Sequence, residues 1–154
     1  LGIDRRQRGR ITDQTIDFIR ACFDAPNDVT ESNGQAFLFR PNPPRPPIYV
    51  GGMTDRALER AIRCGDGWLP MGIDPEKLES KIERLRELAD GAAKPCPDII
   101  LLGSLPPDQA AAIEKLARCK ELGATDYIQA SRYSNEQEFD SMMPRLEDLK
   151  RQLS

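Results

Sequence analysis

The sequence predicts an α/β chain built on a parallel sheet. Three observations carry that reading. From residue 48 onward, short apolar strands alternate four times with amphipathic helical stretches. The strands are nearly continuous apolar runs, as in sheets covered on both faces. A helix follows each strand, so each crossover returns the chain to the same end of the sheet. At 154 residues the chain suits one domain or a piece of a larger one. Two architectures satisfy the pattern: a small open doubly wound sheet, or part of a (β/α)8 barrel. A complete barrel takes about 200 residues or more, so a barrel of this length is a half-barrel.

The elements follow in order. Ile11, Thr15, Ile16, Ile19, Cys22 and Phe23 recur at helical spacing and predict a helix over 12–23. A turn-rich stretch runs from Asp24 to Thr30. Residues 31–40 read as a hairpin turning at Asn33-Gly34, with 36–39 as its second arm. The prolines of 41–47 then make a stiff, extended connector. The first strand–helix unit is Ile48–Gly52 with a helix over 54–64, whose Ala57, Leu58, Ala61 and Ile62 face inward. The second is Gly67–Met71 with a helix capped by Asp74, opened by Pro75 and ended by Gly91. The third is Ile99–Gly103 with a helix opened by Pro107 and closed by Gly123. The fourth is Tyr127–Ala130 with a helix whose capping box is Ser134 to Gln137. Phe139, Met142, Met143, Leu146 and Leu149 form its inward stripe, and Pro144 predicts a kink or break. The chain is thus expected to be a single domain, 1–154, with its four units over 48–152.

Composition excludes several functions. The net charge is −3, so no basic excess is present to neutralise nucleic-acid phosphates or an acidic membrane. No apolar run approaches the roughly 18 to 20 residues that span a bilayer. Histidine is absent, which removes Ser-His and Cys-His nucleophile pairs and His-ligated metal sites within the chain. The cysteines at 22, 64, 96 and 119 form no C-x-x-C. Cys22, Cys64 and Cys119 fall at apolar helix positions, and Cys96 lies in a loop. Reduced thiols in a cytoplasmic protein without a metal site are expected. The opening residues make no signal peptide, and the lack of an initiator Met suits a processed chain or a fragment.

In both architectures ligands bind at the carboxyl ends of the strands. Four segments lie there. Gly51-Gly52-Met53-Thr54 combines two glycines, which admit a ligand close to the backbone, with a helix start able to hold a phosphate; Arg56 in the first turn adds charge. The alternative is a tight turn that merely needs glycine. Trp68, the only tryptophan, lines a cofactor pocket or fills the core; position alone favours the core. Ser104 brings a hydroxyl without a base. Ser131, Arg132 and Tyr133 bring groups that can hold a substrate carboxylate or phosphate, or else form a surface beside a capped helix. No paired carboxylates lie at strand ends, so nothing supports glycoside hydrolysis.

Pro46-Pro47-Ile48-Tyr49-Val50-Gly51-Gly52, a short helix, then Gly65-Asp66-Gly67-Trp68-Leu69-Pro70 resembles the middle of the luciferase-like monooxygenase family. Arg8-Gly9-Arg10 before an amphipathic helix is similar too, as is Asn33-Gly34-Gln35 leading to Phe37 and Arg40. The nearest subgroup is the coenzyme F420-dependent oxidoreductases. The resemblance implies a TIM-type (β/α)8 barrel binding FMN or the deazaflavin F420, with this chain as its carboxyl-terminal half, strands five to eight. It implies that Gly51, Gly52, Met53 and Thr54 form the cofactor's phosphate turn, and that Trp68 and Met71 lie toward the isoalloxazine or substrate. It assigns no proton-transfer residue to this half. The expected function is part of a flavin- or F420-dependent oxidoreductase or monooxygenase acting on a small molecule, with neither nucleic acid nor membrane as partner. The runner-up is a non-catalytic half-barrel that binds a phosphorylated ligand or assembles with another chain. Because a half-barrel leaves two strand edges open, a homodimer, a larger oligomer or pairing with an amino-terminal half is expected.

Overall fold

The computed structural model describes residues 4–24, 29–32, 34–72 and 74–153. These fall into two compact units, Leu1–Ile48 and Tyr49–Ser154.

In the first unit, the Asp4 carboxylate accepts the Arg6 N–H at 3.0 Å and starts a 3-10 turn, Arg5–Gln7. That turn feeds directly into α1 (Arg8–Asp24). The helix begins earlier than apolar periodicity predicts, because the cap lies upstream of the first apolar residue. Ile16 and Cys22 are its buried positions. Strands β1 (Val29–Ser32) and β2 (Gln35–Leu38) pair antiparallel from Val29↔Leu38 to Ser32↔Gln35. The hairpin is therefore the expected one, with its first arm starting earlier and its second arm one residue back. Gly34 takes φ +73° in its turn; Asn33 lies outside the described residues. Edge-on ring contacts join Phe18 to Phe37 and Phe23 to Phe39.

The second unit holds a four-stranded parallel sheet in the order β3-β4-β5-β6. Its elements are β3 (Tyr49–Gly51), α2 (Asp55–Cys64), β4 (Gly67–Leu69), α3 (Pro75–Gly91), β5 (Asp98–Gly103), α4 (Gln109–Leu122), β6 (Asp126–Gln129) and α5 (Glu136–Leu153). Chain order equals sheet order, the sequence of adjacent βα units found along one side of a barrel. Register sorts the side chains between two faces. Val50, Trp68 and Ile99 form one row and are buried on the face that carries α2. Tyr49, Gly67 and Asp98, then Gly51 and Leu69, then Met71, Leu102 and Ile128 form rows on the opposite face. There Tyr49, Met71 and Ile128 are 39%, 70% and 43% exposed. Gly67 leaves the gap that the Tyr49 ring and Ile100 close, since a Cβ there would meet both at 2.8 Å.

The inward stripe of α2 agrees with expectation, with Ala57, Leu58, Ala61 and Ile62 buried; on α3 the apolar periodicity of Leu78, Ile82, Leu85 and Leu88 predicts an inward stripe, of which the first three are buried and Leu88 is half-buried. Truncating a fully buried leucine such as Leu58 costs about 2–5 kcal/mol. Cys22, Cys64 and Cys119 are buried thiols and Cys96 is exposed, with no disulfide among the described residues. Burial pushes the Cys96 and Cys119 thiols above their ordinary value, which disfavours thiolate chemistry.

Several local expectations are corrected. Asp74 stands at the start of α3 but makes no side-chain cap hydrogen bond. α3 does end at Gly91, as expected, although the left-handed residue comes later: the chain leaves through Ala92 and through Ala93 at φ +51°, and the Lys94 N–H closes onto the Ala89 carbonyl. Asp108, not Pro107, starts α4 by accepting the Ala111 N–H at 2.8 Å. Gly123 does end α4, at φ +108°. The capping box of α5 lies one residue later than expected: Asn135 accepts the Glu138 N–H at 2.9 Å, and the Glu138 carboxylate accepts the Ser134 N–H at 2.7 Å. Of the kink or break expected at Pro144, the break is absent, since α5 runs through it. Phe139 is exposed rather than inward, whereas Leu149 is buried.

Candidate functional site

All four strands point the same way, so their carboxyl ends share one edge of the sheet. The sequence-predicted residues lie along that edge in two separate groups, with Trp68 hydrogen-bonded to Gly52 in the first. Gly51–Thr54 stand at the end of β3 and Ser131–Arg132 beyond β6. These strands are three spacings apart, roughly 14 Å.

At the β3 end, Gly52 takes φ +112°, and a Cβ there would meet the Ala57 Cβ at 2.9 Å. Glycine is thus required by both backbone and packing. Gly51 differs: a Cβ there would meet only the Leu69 carbonyl, at 3.7 Å. Its openness leaves room for a group to approach the backbone. Thr54 precedes α2 in an extended conformation, and its hydroxyl makes no cap hydrogen bond. The Thr54 carbonyl accepts the Ala57 and Leu58 N–H groups. The donors ahead of these, at the start of a ten-residue helix, are the groups that suit an anion.

Charge around this helix start is arranged rather than simply positive. Asp55 pairs with Arg84 at 3.1 Å and with Lys81 at 3.5 Å, and Arg84 also reaches Glu87 at 2.9 Å. The Arg84 hydrogen bond, helped by the charges of Arg84 and Lys81, holds the Asp55 carboxyl below its ordinary value against the opposing desolvation. Two cations from α3 thus engage the acidic residue in the first turn of α2. Arg56, exposed next to it, adds a positive charge.

Trp68 and Met71 lie on opposite faces of the sheet. Trp68 is 0% exposed, and its indole N–H donates to the Gly52 carbonyl at 2.7 Å. It offers no surface to a ligand in this chain and supports the glycine turn from behind. Met71 pairs with Leu102 on the other face and is exposed. The family resemblance implies that both lie toward the cofactor or substrate; strand alternation puts them on opposite faces.

The β6 end is built from side chains. Gln129 accepts the Leu105 N–H at 2.8 Å and donates to the Ser131 hydroxyl at 2.8 Å. The Ser104 hydroxyl donates to the Ala130 carbonyl, also at 2.8 Å. Ser131 and Arg132 are exposed. Gln129 was absent from the sequence-predicted set; its signal is a lone amide at the end of an apolar strand. Between the two ends, Gly72, Asp74, Gly103, Ser104, Lys115 and Tyr127 line a cleft of about 140 Å³. That is below the roughly 300 Å³ of a small-molecule pocket. Lys115 donates to the Ser104 carbonyl at 3.1 Å and sits over the Tyr127 ring. Burial raises the Tyr127 hydroxyl above its ordinary value. Among the described residues no His, Cys, Asp and Glu group could hold a metal ion, and no helix is long and apolar enough to cross a membrane.

The luciferase-like monooxygenase profile matches residues 1–150. The chain belongs to the luciferase-like monooxygenase family. Family relatives include uncharacterised proteins of Mycobacterium bovis and Mycobacterium tuberculosis, 33% identical over 134 residues. Those alignments cover 83% of this chain but 44% of each relative, so the chain spans less than half their length. Among solved structures, an F420-dependent secondary alcohol dehydrogenase in complex with an F420-acetone adduct matches with a TM-score of 0.53 at 15% identity. The match covers 97% of this chain and 56% of that one. The fold is thereby that of a partial (β/α)8 barrel of the luciferase-like class, and the open doubly wound alternative falls away.

Proposed function

We propose that this chain forms the carboxyl-terminal half of a flavin- or F420-dependent oxidoreductase barrel and supplies the turn that holds the cofactor's phosphate. The observation that carries the reading is the turn after β3. Gly51 is open, Gly52 adopts a conformation suited to glycine, and the helix start beyond it lacks a side-chain cap. The residues fit a phosphate: Gly51 leaves the approach clear, Met53 and Thr54 lead into a helix start with no side-chain cap, and Arg56 adds charge. The solved F420-dependent relative supports F420 as one cofactor, and FMN remains the other. When bound, the cofactor supplies hydride transfer or oxygen activation. In this half, Met71 lies on the open face where it can border the ring system, and Ser131 and Arg132 stand toward a small-molecule substrate.

The exposed Tyr49, Met71 and Ile128 favour assembly as well. Among the described residues β3 and β6 each have one neighbour in the sheet. We propose that these edges pair with another half-barrel, either an amino-terminal half or a second copy.

The test uses the full-length protein titrated with FMN and F420, followed by fluorescence. Binding of one of them, weakened about tenfold or more by Gly51→Val at unchanged unfolding midpoint, is expected from lost backbone–phosphate contacts. Failure of both cofactors to bind, or unchanged affinity in the variant, would contradict the reading.

A further inference from the structure

We infer that Trp68 is a positioning residue for the cofactor's phosphate, acting through the Gly52 peptide without touching the cofactor. The inference rests on the phosphate-turn reading above. A buried indole N–H needs an acceptor, and here the Gly52 carbonyl serves, at 2.7 Å. In a planar trans peptide the carbonyl and the next N–H point in opposite directions. Drawing the Gly52 carbonyl toward the indole therefore turns the Met53 N–H away from it. Reversing the Gly52–Met53 peptide would change ψ of Gly52, which glycine tolerates, and φ of Met53, and the indole hydrogen bond holds the observed orientation. In the reverse orientation a carbonyl, not an N–H, would face the anion, and phosphate would be repelled. Packing alone asks for a large side chain on the row Val50–Trp68–Ile99; a donor at that position does something packing does not need.

The experiment compares two ligands on the full-length protein: FMN against riboflavin or, where the protein prefers deazaflavin, F420 against its phosphate-free chromophore. Their affinity ratio isolates the phosphate. Trp68→Phe keeps an aromatic ring and removes the donor. The expected result is about a tenfold loss of affinity for the phosphorylated ligand, with the phosphate-free one unchanged. Replacement of Trp68 by benzothienylalanine, in which sulfur takes the place of the N–H, keeps the bicyclic shape. It should give the same selective loss, and it carries the test if Trp68→Phe fails to fold. A wild-type ratio in the isosteric variant, or equal loss of both ligands, would overturn the positioning role. Gly51→Val separates the two claims. If it abolishes the phosphate preference while the isosteric Trp68 variant retains it, only the positioning role falls. If Gly51→Val leaves the preference intact, the phosphate turn itself is wrong.

Discussion

At the carboxyl end of β3 the chain turns on glycines; at the carboxyl end of β6 it turns on side-chain hydrogen bonds. The two turns occupy equivalent places in a repeating βα pattern, yet they use their polar groups differently. After β6, Gln129, Ser131, Asn135 and Glu138 engage one another and the local backbone. After β3, the Thr54 hydroxyl makes no cap hydrogen bond, and Trp68 donates to the turn from behind. The helices between them follow the same division: α3 starts without a side-chain cap and α4 starts with one, from Asp108. A turn that satisfies its own donors is stable and closed to anions. A turn that leaves donors at the helix start is poorer in local stability and open to a ligand. α3 shares the uncapped start, so the proposed binding role of the β3 end rests also on the open Gly51 beside it.

Substitutions can break this comparison. The largest effect is expected from Gly52→Val, which combines an unfavourable backbone conformation with a contact against Ala57. Urea unfolding should show a loss of about 2–4 kcal/mol. The same change at Gly51 should stay within about 0.5 kcal/mol, because strand geometry accepts valine and the space is open. Equal losses at the two glycines would remove the distinction between a strained and a spacious position. Next comes the cap: Asn135→Ala should cost about 1 kcal/mol, whereas Thr54→Ala should cost less than about 0.5 kcal/mol because no cap bond is lost. A larger loss at Thr54 than at Asn135 would reverse the comparison.

Two further measurements sharpen it. Arg132→Ala should raise the KM for substrate while leaving cofactor affinity unchanged, since Arg132 lies at the far edge of the sheet from the glycine turn. A fall in cofactor affinity would place the phosphate at the wrong end of the account. The smallest effect concerns Asp55, whose carboxyl is held below its ordinary value of 3.8. A depressed carboxylate stabilises the folded state above that value and loses its contribution as pH falls through the folded-state value. Acid unfolding of Asp55→Asn should therefore be less steep than that of the parent below about pH 4. An identical acid limb would show that the Arg84 and Lys81 pairs, which are exposed to solvent, are screened.

Much of the fold was legible because apolar periodicity reports burial. Leu58, Leu78 and Leu85 lie inside, where their spacing puts them. The half-barrel itself was legible only through motif resemblance, since parallel strand–helix repeats suit an open sheet equally well. Caps were less legible. Several candidates cluster before α5, and Asn135 rather than Ser134 wins by geometry that a linear motif does not encode. Pro144 shows a similar limit: its missing N–H removes one helical bond, but the remaining bonds carry α5 through. For the candidate site, the glycine pair announced itself by residue type. Alternation along one strand already puts Trp68 and Met71, three residues apart, on opposite faces; which face is closed emerges only once the strands and helices are packed. The Trp68–Gly52 bond joins residues sixteen apart and leaves no trace in local sequence.

The central claim is that the turn after β3 holds the phosphate of the cofactor. The most direct measurement is a crystal structure of the full-length protein with FMN or F420 bound, read at the phosphorus. The account predicts phosphate oxygens within hydrogen-bonding distance of the Met53 and Thr54 amides, with the Gly52 carbonyl still turned toward Trp68. A phosphate seated instead at the turn after β6, among Ser131, Arg132 and the start of α5, would contradict it.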